Sequence, residues 1–333
     1  MNHFKLFSSL IKARVPIWVI MILIDWYGKL RVAVRWKSAL SRIFCVQSGV
    51  RQGSSFSPAL FNVFINIFIT SLKSGNRGCV INSIFVGVIM YADDFLLLSA
   101  SVEGLQKMLD ICKVVSDNTE MEFNYNKCTC SVVGSASRHV IPDMKLGNDV
   151  ICWSGAVKYL GIPFNTGKLL FVDTHVIKCK FFASCNCILG KINCLNDLVK
   201  LSMMETFCLP ILLFATAALR MSKTQIGELN ASWNAAYRRI FGFNKWESIR
   251  CFIYGLGRLD FSSLRLFMHL KFCSVNLSCS NSTFLSVMKL YCLSHTFINL
   301  CTSVGLSRSD YENFETIPIS KIRAHVRSAI AQS

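Results

Sequence analysis

The sequence predicts an α+β fold, with short strands and packed helices in its first half and helices alone beyond. Three observations carry that expectation. Residues 84–100, IFVGVIMYADDFLLLSA, place two apolar runs of strand length on either side of adjacent aspartates, Asp93 and Asp94. That is the pattern of a hairpin with two carboxylates at its tip. Residues 59–72 and 102–118 read as helices, the first strongly apolar, the second with Val102, Leu105, Leu109, Cys112, Val114 and Val115 as its apolar stripe. From about Thr174 the pattern is helical, with breaks near Gly190, Pro210, Gly242 and Gly255 to Gly257. At 333 residues the chain can bury a sizeable core and divide into two or three subdomains.

In chain order, residues 4–24 read as a helix interrupted at Pro16, and residues 30–36 alternate as a strand with Arg31 and Arg35 on one face. The loop SGVRQGSSFSP, residues 48–58, bears Gly49 and Gly53, with Ser57 as N-cap and Pro58 as first helical residue of the next helix. That helix is expected behind the aspartate hairpin. After residue 118 come FNYNK, residues 123–127, and an alternating strand to Val133, then a loop-rich stretch over 134–149. Residues 157–162, VKYLGI, form a short strand ending at Gly161 and Pro163. The stretch beyond Ser274 is rich in Ser and Cys, too weakly periodic to assign.

The net charge of +17 points to a polyanionic partner, nucleic acid before an anionic membrane surface. Its distribution is uneven. Residues 1–47 carry eight basic side chains against Asp25 alone, residues 171–275 carry thirteen against six, and residues 81–150 reverse the sign with five against nine. An acidic centre between basic flanks suits a nucleic-acid enzyme; the plainer account is the solvated faces of ordinary helices. The sixteen cysteines contain no C-x-x-C pair, and many fall in apolar runs, where a thiol acts as a small hydrophobe. They read as reduced thiols, with Cys273, Cys279, Cys292 and His295 the nearest approach to a zinc set. The apolar content raises a membrane-associated alternative, but the longest charge-free apolar stretches, 15–24 and 207–219, fall short of the roughly 18 residues of a span. No targeting segment is evident.

Unpaired carboxylates in apolar surroundings call for a cation, and hard oxygen ligands on a turn suit Mg²⁺. A lone Asp-Asp is more often an exposed acidic turn. Here, however, SGVRQGSSFSP, YADD, FNYNK and KYLG follow one another in an order and spacing that resemble successive motifs of reverse transcriptases, most closely those of non-LTR (LINE-type) retrotransposons. The resemblance runs over about residues 1–165. It continues more weakly to about 275, where Leu229 to Asn234 and Arg238 to Phe241 look like sequence that follows the polymerase in such elements.

The resemblance implies a right-hand polymerase: an α+β palm, then a helical thumb, with the fingers and first palm strand largely missing. It implies residues 1–47 as a remnant of palm and fingers, 48–166 as the palm, 167–275 as thumb and connection, and 276–333 as a tail of unassigned role. It implies RNA-directed DNA polymerase activity, with Mg²⁺ or Mn²⁺, an RNA template, a DNA primer and dNTPs. Asp93 resembles the metal-ligand aspartate and Asp94 its lesser neighbour; two-metal phosphoryl transfer is the implied chemistry. Arg51, Gln52 and Gly53 resemble the loop that touches template and incoming nucleotide, and Tyr91 a residue near the primer end. Lys127 resembles a lysine suited to protonate or neutralise the leaving pyrophosphate. Tyr159, Leu160 and Gly161 resemble the strand that grips the primer. For each there is a bland account: a tight turn, an aromatic closing the hairpin, a surface lysine, ordinary core packing.

One departure matters. The family's first motif supplies another metal-binding aspartate, and Met1 to Phe7 resembles the end of that block, so the aspartate is expected upstream of Met1. Asp25 is a poor substitute, and two adjacent aspartates do not bridge two metals as three carboxylates do. The expectation is therefore a polymerase domain inactive as this chain alone. The rival from the binding class is a catalytically dead, nucleic-acid-binding remnant of a mobile element.

Overall fold

A computed structural model describes residues 1–134, 141–214 and 216–331. The described chain is α+β and divides into two compact units between Ser154 and Gly155, with Val133 and Gly134 grouping with the second.

The first unit opens on helices α1 (His3–Lys12) and α2 (Ile17–Gly28). The Asn2 side chain caps α1 by accepting from Phe4 N and Lys5 N, and Pro16 separates the two helices. Four two-residue strands follow: β1 (Arg31–Val32), β2 (Arg35–Trp36), β3 (Ala39–Leu40) and β4 (Phe44–Cys45). The single strand expected over 30–36 is thus two pieces in separate ladders, β1 pairing β4 and β2 pairing β3. Between them Val34 N bonds the Ser41 hydroxyl instead of a strand partner. Helix α3 (Ser57–Gly75) covers the expected 59–72, with Leu60, Phe64, Phe68 and Leu72 on one buried stripe. Ser57 is not its N-cap. That position is Phe56, and the buried Ser57 hydroxyl instead donates to Arg51 O at 2.6 Å.

Two antiparallel hairpins come next, β5 (Val80–Ile81) with β6 (Ile84–Phe85), and β7 (Val88–Tyr91) with β8 (Asp94–Leu97). They are tied where Cys79 N donates to Leu98 O and Leu98 N to Gly87 O. Gly78 and Gly87 touch backbone to backbone here; a Cβ on either would lie 2.6 Å from the other's Cα, so both must be glycine. Helix α4 (Val102–Thr119), capped by the Ser101 side chain on Gly104 N, buries Met108, Leu109, Cys112 and Val115. Val114, expected on the stripe, is 59% exposed, because its position falls on the outer face.

A 3₁₀ turn at Tyr125–Lys127 closes the FNYNK segment, and the strand expected from there to Val133 is reduced to β9 (Thr129–Cys130). The loop-rich stretch holds β10 (Met144–Leu146) and the start of β11 (Asp149–Trp153), while 135–140 lie outside the described residues. The sheet order is β10-β11-β9, antiparallel then parallel. The Gln106 amide bonds both the N–H and the C=O of Lys145. An α4 side chain thereby satisfies backbone groups of edge strand β10.

The second unit begins with a meander of β12 (Ala156–Tyr159), β13 (Ile162–Asn165) and β14 (Phe171–Val172). The strand expected to end at Pro163 is a hairpin. Leu160 and Gly161 make the turn and Pro163 lies inside β13, opposite Lys158. Helices α5 (Thr174–Lys191), α6 (Asp197–Phe207), α7 (Leu209–Leu213), α8 (Lys223–Phe241) and α9 (Arg250–Gly255) surround Phe181, Trp233 and Tyr237. Asp173 caps α5, Ser222 and Gln225 form a capping box at α8, and Gly242 at φ 71° closes α8. Helix α10 (Phe261–Asn276) continues the expected helical run, and the stretch beyond Ser274 too weakly periodic to assign is helical as well: α11 (Ser282–Cys292), α12 (His295–Ser303), α13 (Arg308–Glu312) and α14 (Ile319–Ala331). These helices share a further core with Phe297 and Phe314 at its centre and the thiols of Cys273 and Cys301 buried in it. Among the described residues no single helix is long and apolar enough to cross a membrane; α11 and α12 pass together but are bent by 64° at their junction.

Candidate active site on the aspartate hairpin

Strands β7 and β8 pair in strict register, Val88 with Leu97 through to Tyr91 with Asp94, so Ala92 and Asp93 alone make the turn. A two-residue turn that matches strand twist needs positive φ, and Ala92 supplies it at 51° without the help of glycine. Asp93 therefore sits in the turn, and Asp94 is the first residue of β8, across from Tyr91. All three are exposed. This corrects one expectation: the carboxylates are not held in apolar surroundings, and no burial cost argues for a cation. Neither makes an ion pair among the described residues.

The apolar support lies one residue further on. Phe95 packs edge-on to Phe68 of α3 at 5.0 Å between ring centroids and to Phe123 at 5.4 Å, and Phe68 meets Phe123 at 5.9 Å. With Phe68 fully buried, the three rings fix the hairpin on α3, as expected for the helix over 59–72. The same contacts fix the approach of residues 121–127. Lys127 is the exposed last residue of the 3₁₀ turn, four positions beyond Phe123.

Arg51, Gln52 and Gly53 stand together, all exposed, on a loop clamped by the chain's first residues. Gly49 N donates to Met1 O at 2.8 Å, Ser48 bridges Asn2, and the His3 ring bonds Gly49 O at 2.8 Å. His3 in turn stacks edge-on to Tyr27 at 4.7 Å. Burial pushes the Tyr27 phenol up, opposed by its hydrogen bond with Ser57. Gly49 and Gly53 take φ of 89° and 82°, so the loop needs them for handedness; a Cβ on either would meet nothing. Arg51 lines a small hollow with Trp26, Tyr27, Leu30 and Ser54. Tyr159, Leu160 and Gly161 belong to the second unit, as the end of β12 and its turn. Asp25 is engaged by Lys29 one helical turn on, at 2.6 Å.

Among the described residues no group of three or more His, Cys, Asp or Glu is placed to hold a metal ion. The Asp93–Asp94 pair is thus not joined by a third such ligand, and Cys273, Cys279, Cys292 and His295 form no zinc set. No sequence pattern marks His3 as a clamp or Ser57 as a tether, since both act through main-chain carbonyls. The aromatic cluster has a partial signal: Phe68 falls on the buried stripe of α3 and Phe95 within the apolar run of β8, while Phe123 lies in irregular chain before the 3₁₀ turn, where no periodicity marks it.

Residues 1–164 match the family described as reverse transcriptase (RNA-dependent DNA polymerase). Similar curated proteins are Pol polyproteins of mobile elements. That of a type-1 R2 retrotransposable element of Nasonia vitripennis is 32% identical over 127 residues, 35% of this chain and 12% of the relative. That of a type-2 R2 element of Drosophila melanogaster is 29% identical over 145 residues, 39% of this chain and 13% of the relative. The RNA-directed DNA polymerase of the Drosophila mobile element jockey is 29% identical over 137 residues, 39% of this chain and 14% of the relative. The match thus spans about one-eighth of the length of these relatives. Its position coincides with the clamped loop, the aspartate hairpin and the helices that carry them, and residues 1–164 belong to the reverse transcriptase family, of the non-LTR retrotransposon kind.

Proposed function

We propose that this chain supplies the aspartate hairpin of an RNA-directed DNA polymerase, the enzyme that adds dNTPs to a DNA primer on an RNA template. The observation that carries the reading is a two-residue turn displaying Asp93 and Asp94 on a rigid aromatic mount, inside a segment that matches the family. Two neighbouring carboxylates are the hard ligands Mg²⁺ or Mn²⁺ takes. They suit one such ion; a second needs a further carboxylate, which the described residues do not group with them. A bound ion would stabilise charge on the transferring phosphoryl group. Arg51 would hold phosphate and Gln52 a base or sugar edge, with Gly53 letting the backbone approach. Tyr91, across the tip from Asp94, would pack at the primer end. Lys127 would protonate or neutralise the departing pyrophosphate. Tyr159, Leu160 and Gly161 would grip the primer. We assign residues 48–166 to the palm, 1–47 to palm and fingers, 167–275 to the thumb and connection, and 276–333 to a C-terminal segment.

The test has two readouts on residues 1–333. Mn²⁺ binding, followed by paramagnetic resonance, is expected in the wild type and lost in Asp93→Asn/Asp94→Asn; unchanged binding in the double variant would end the metal role. Primer extension on primed RNA with Mg²⁺ is expected to be negligible, because two carboxylates do not hold two mutually repelling cations. Robust extension would overturn that argument and put another carboxylate in the vacant place, with Asp25, released from Lys29, the first to replace. In any form that does extend, Asp93→Ala should abolish the reaction and Lys127→Ala slow it about 10²-fold. A second reading, a nucleic-acid-binding remnant without catalysis, is favoured by the described residues grouping no third ligand with Asp93 and Asp94. It predicts binding of primed RNA that is indifferent to Asp93→Asn.

A further inference from the structure

Helix α14 sends Ile322 and Val326 into the third core, at 0% and 1% exposure. The residue after each is an arginine. Arg323 and Arg327, four apart, fall on one helix face, and both line a cavity of about 320 Å³ within the second unit. Glu205 of α6, Trp233 of α8, Arg258 and Leu264 are among the other residues of its wall. Arg258 donates to Glu205 at 2.8 Å, so that pair is neutral. Arg323 lies over the Phe267 ring, 5.7 Å from its centroid, a contact that leaves its N–H groups free of carboxylate. Among the described residues neither Arg323 nor Arg327 has an acidic partner. The cavity therefore carries two uncompensated positive charges above an apolar floor in which Trp233 is 1% exposed.

The Tyr237 hydroxyl is buried and, among the described residues, without a hydrogen-bond partner, on the helix turn after Trp233. It is close enough to Glu205 and Arg258 for both to act on it: burial, then Glu205, raise its pKa and Arg258 lowers it.

We propose that this cavity is a phosphate-binding site, with Arg323 and Arg327 holding a phosphoryl group by forked N–H donation and the Arg258–Glu205 pair fixing its rim. The guanidinium fork matches phosphate oxygens two at a time, and two net charges suit a dianion or two successive diesters. This gives residues 276–333 a role independent of the aspartate hairpin. The phosphoryl group has two sources, the backbone of a nucleic-acid strand or the terminal phosphate of a free nucleotide.

The experiment is calorimetric titration of the full chain with inorganic phosphate, with dATP and with a ten-nucleotide oligouridylate lacking terminal phosphates. The variants are Arg327→Gln, Arg323→Gln/Arg327→Gln and, as a charge-matched control on α11, Lys289→Gln. Arg327→Gln leaves the Arg323–Phe267 contact in place, and circular dichroism checks that each variant is folded. A loss of about tenfold or more in oligouridylate affinity in Arg327→Gln, with Lys289→Gln near wild type, is the expected result for a backbone site. The same loss confined to inorganic phosphate and dATP assigns the site to a terminal phosphate. Equal effects of Arg327→Gln and Lys289→Gln, or no binding of any of the three probes by the wild type, overturn the proposal. Primer extension plays no part in these readouts, so failure here is distinct from failure of the catalytic reading.

Discussion

At the scale of single residues, the position that decides the candidate site is Ala92. A residue other than glycine or asparagine pays about 1 kcal/mol or more to stand in the left-handed region, and Ala92 does so at φ 51° in the exposed tip of the aspartate hairpin. Ala92→Gly should therefore stabilise the chain by about 1 kcal/mol, read from urea denaturation at constant m-value. A destabilised variant would contradict the left-handed turn. Leu160 carries the same strain at φ 47°, but it is half-buried, so replacing it trades packing against backbone relief. Neither strained position is legible in the sequence. The dipeptides Asn-Gly or Asp-Gly announce such turns, and here the turns are Ala-Asp and Leu-Gly. The aspartate turn is legible through the apolar runs on either side of it, which fix the register whatever occupies the tip. The exposure of Asp93 and Asp94 is hidden for a related reason: apolar flanks say that strands are covered on one face, and say nothing of a two-residue tip projecting beyond them.

At the scale of elements, long helices with regular stripes are legible and two-residue strands are not. Helix α3 follows from Leu60, Phe64, Ile65, Phe68 and Leu72, whose steps of three and four residues a helix places on one face and a strand does not. Strands β1 to β4 are too short for alternation to mark their ends, so 30–36 reads as one strand although its two halves pair with different partners. Helices α11 to α14 escape notice because Ser and Cys dilute the stripe, yet Cys301 and Phe297 are fully buried there as ordinary core side chains. The hairpin's mount gives the prediction proper to this scale. Phe68→Ala removes the ring that touches both Phe95 and Phe123 and should cost about 3–5 kcal/mol. Phe68→Leu should cost clearly less. If both cost under about 1 kcal/mol in chemical denaturation, the hairpin is not held by that cluster. Gly87→Ala, which forces a Cβ to 2.6 Å from the Gly78 Cα, should disrupt the joint between the two hairpins and destabilise the first unit outright.

At the scale of the whole molecule, charge is the property that sequence states most plainly and local structure least explains. Of the nine ion pairs in the described residues, four join residues four apart on one helix. Such pairs are exposed and contribute little to stability. With 36 basic residues against 19 acidic ones, most of the basic excess remains available to a polyanion. Binding of single-stranded or primed RNA by the full chain should then be driven by release of condensed counterions. A surface neutralising about four phosphates of a single strand gives a slope of about −3 in a plot of log K against log salt concentration. The measurement is a fluorescence-anisotropy titration of labelled oligouridylate at successive KCl concentrations, with Mg²⁺ held constant. Arg323→Gln/Arg327→Gln, if the α14 cavity holds a backbone phosphate, should lower both the affinity and the steepness of that line, by about 0.7 of a unit of slope for each phosphate no longer neutralised. Arg51→Gln should do the same from the first unit. A line that is flat in wild type would remove nucleic acid as the partner that the +17 charge serves. A steep line that neither set of variants changes would place the phosphate-binding surface on other basic residues.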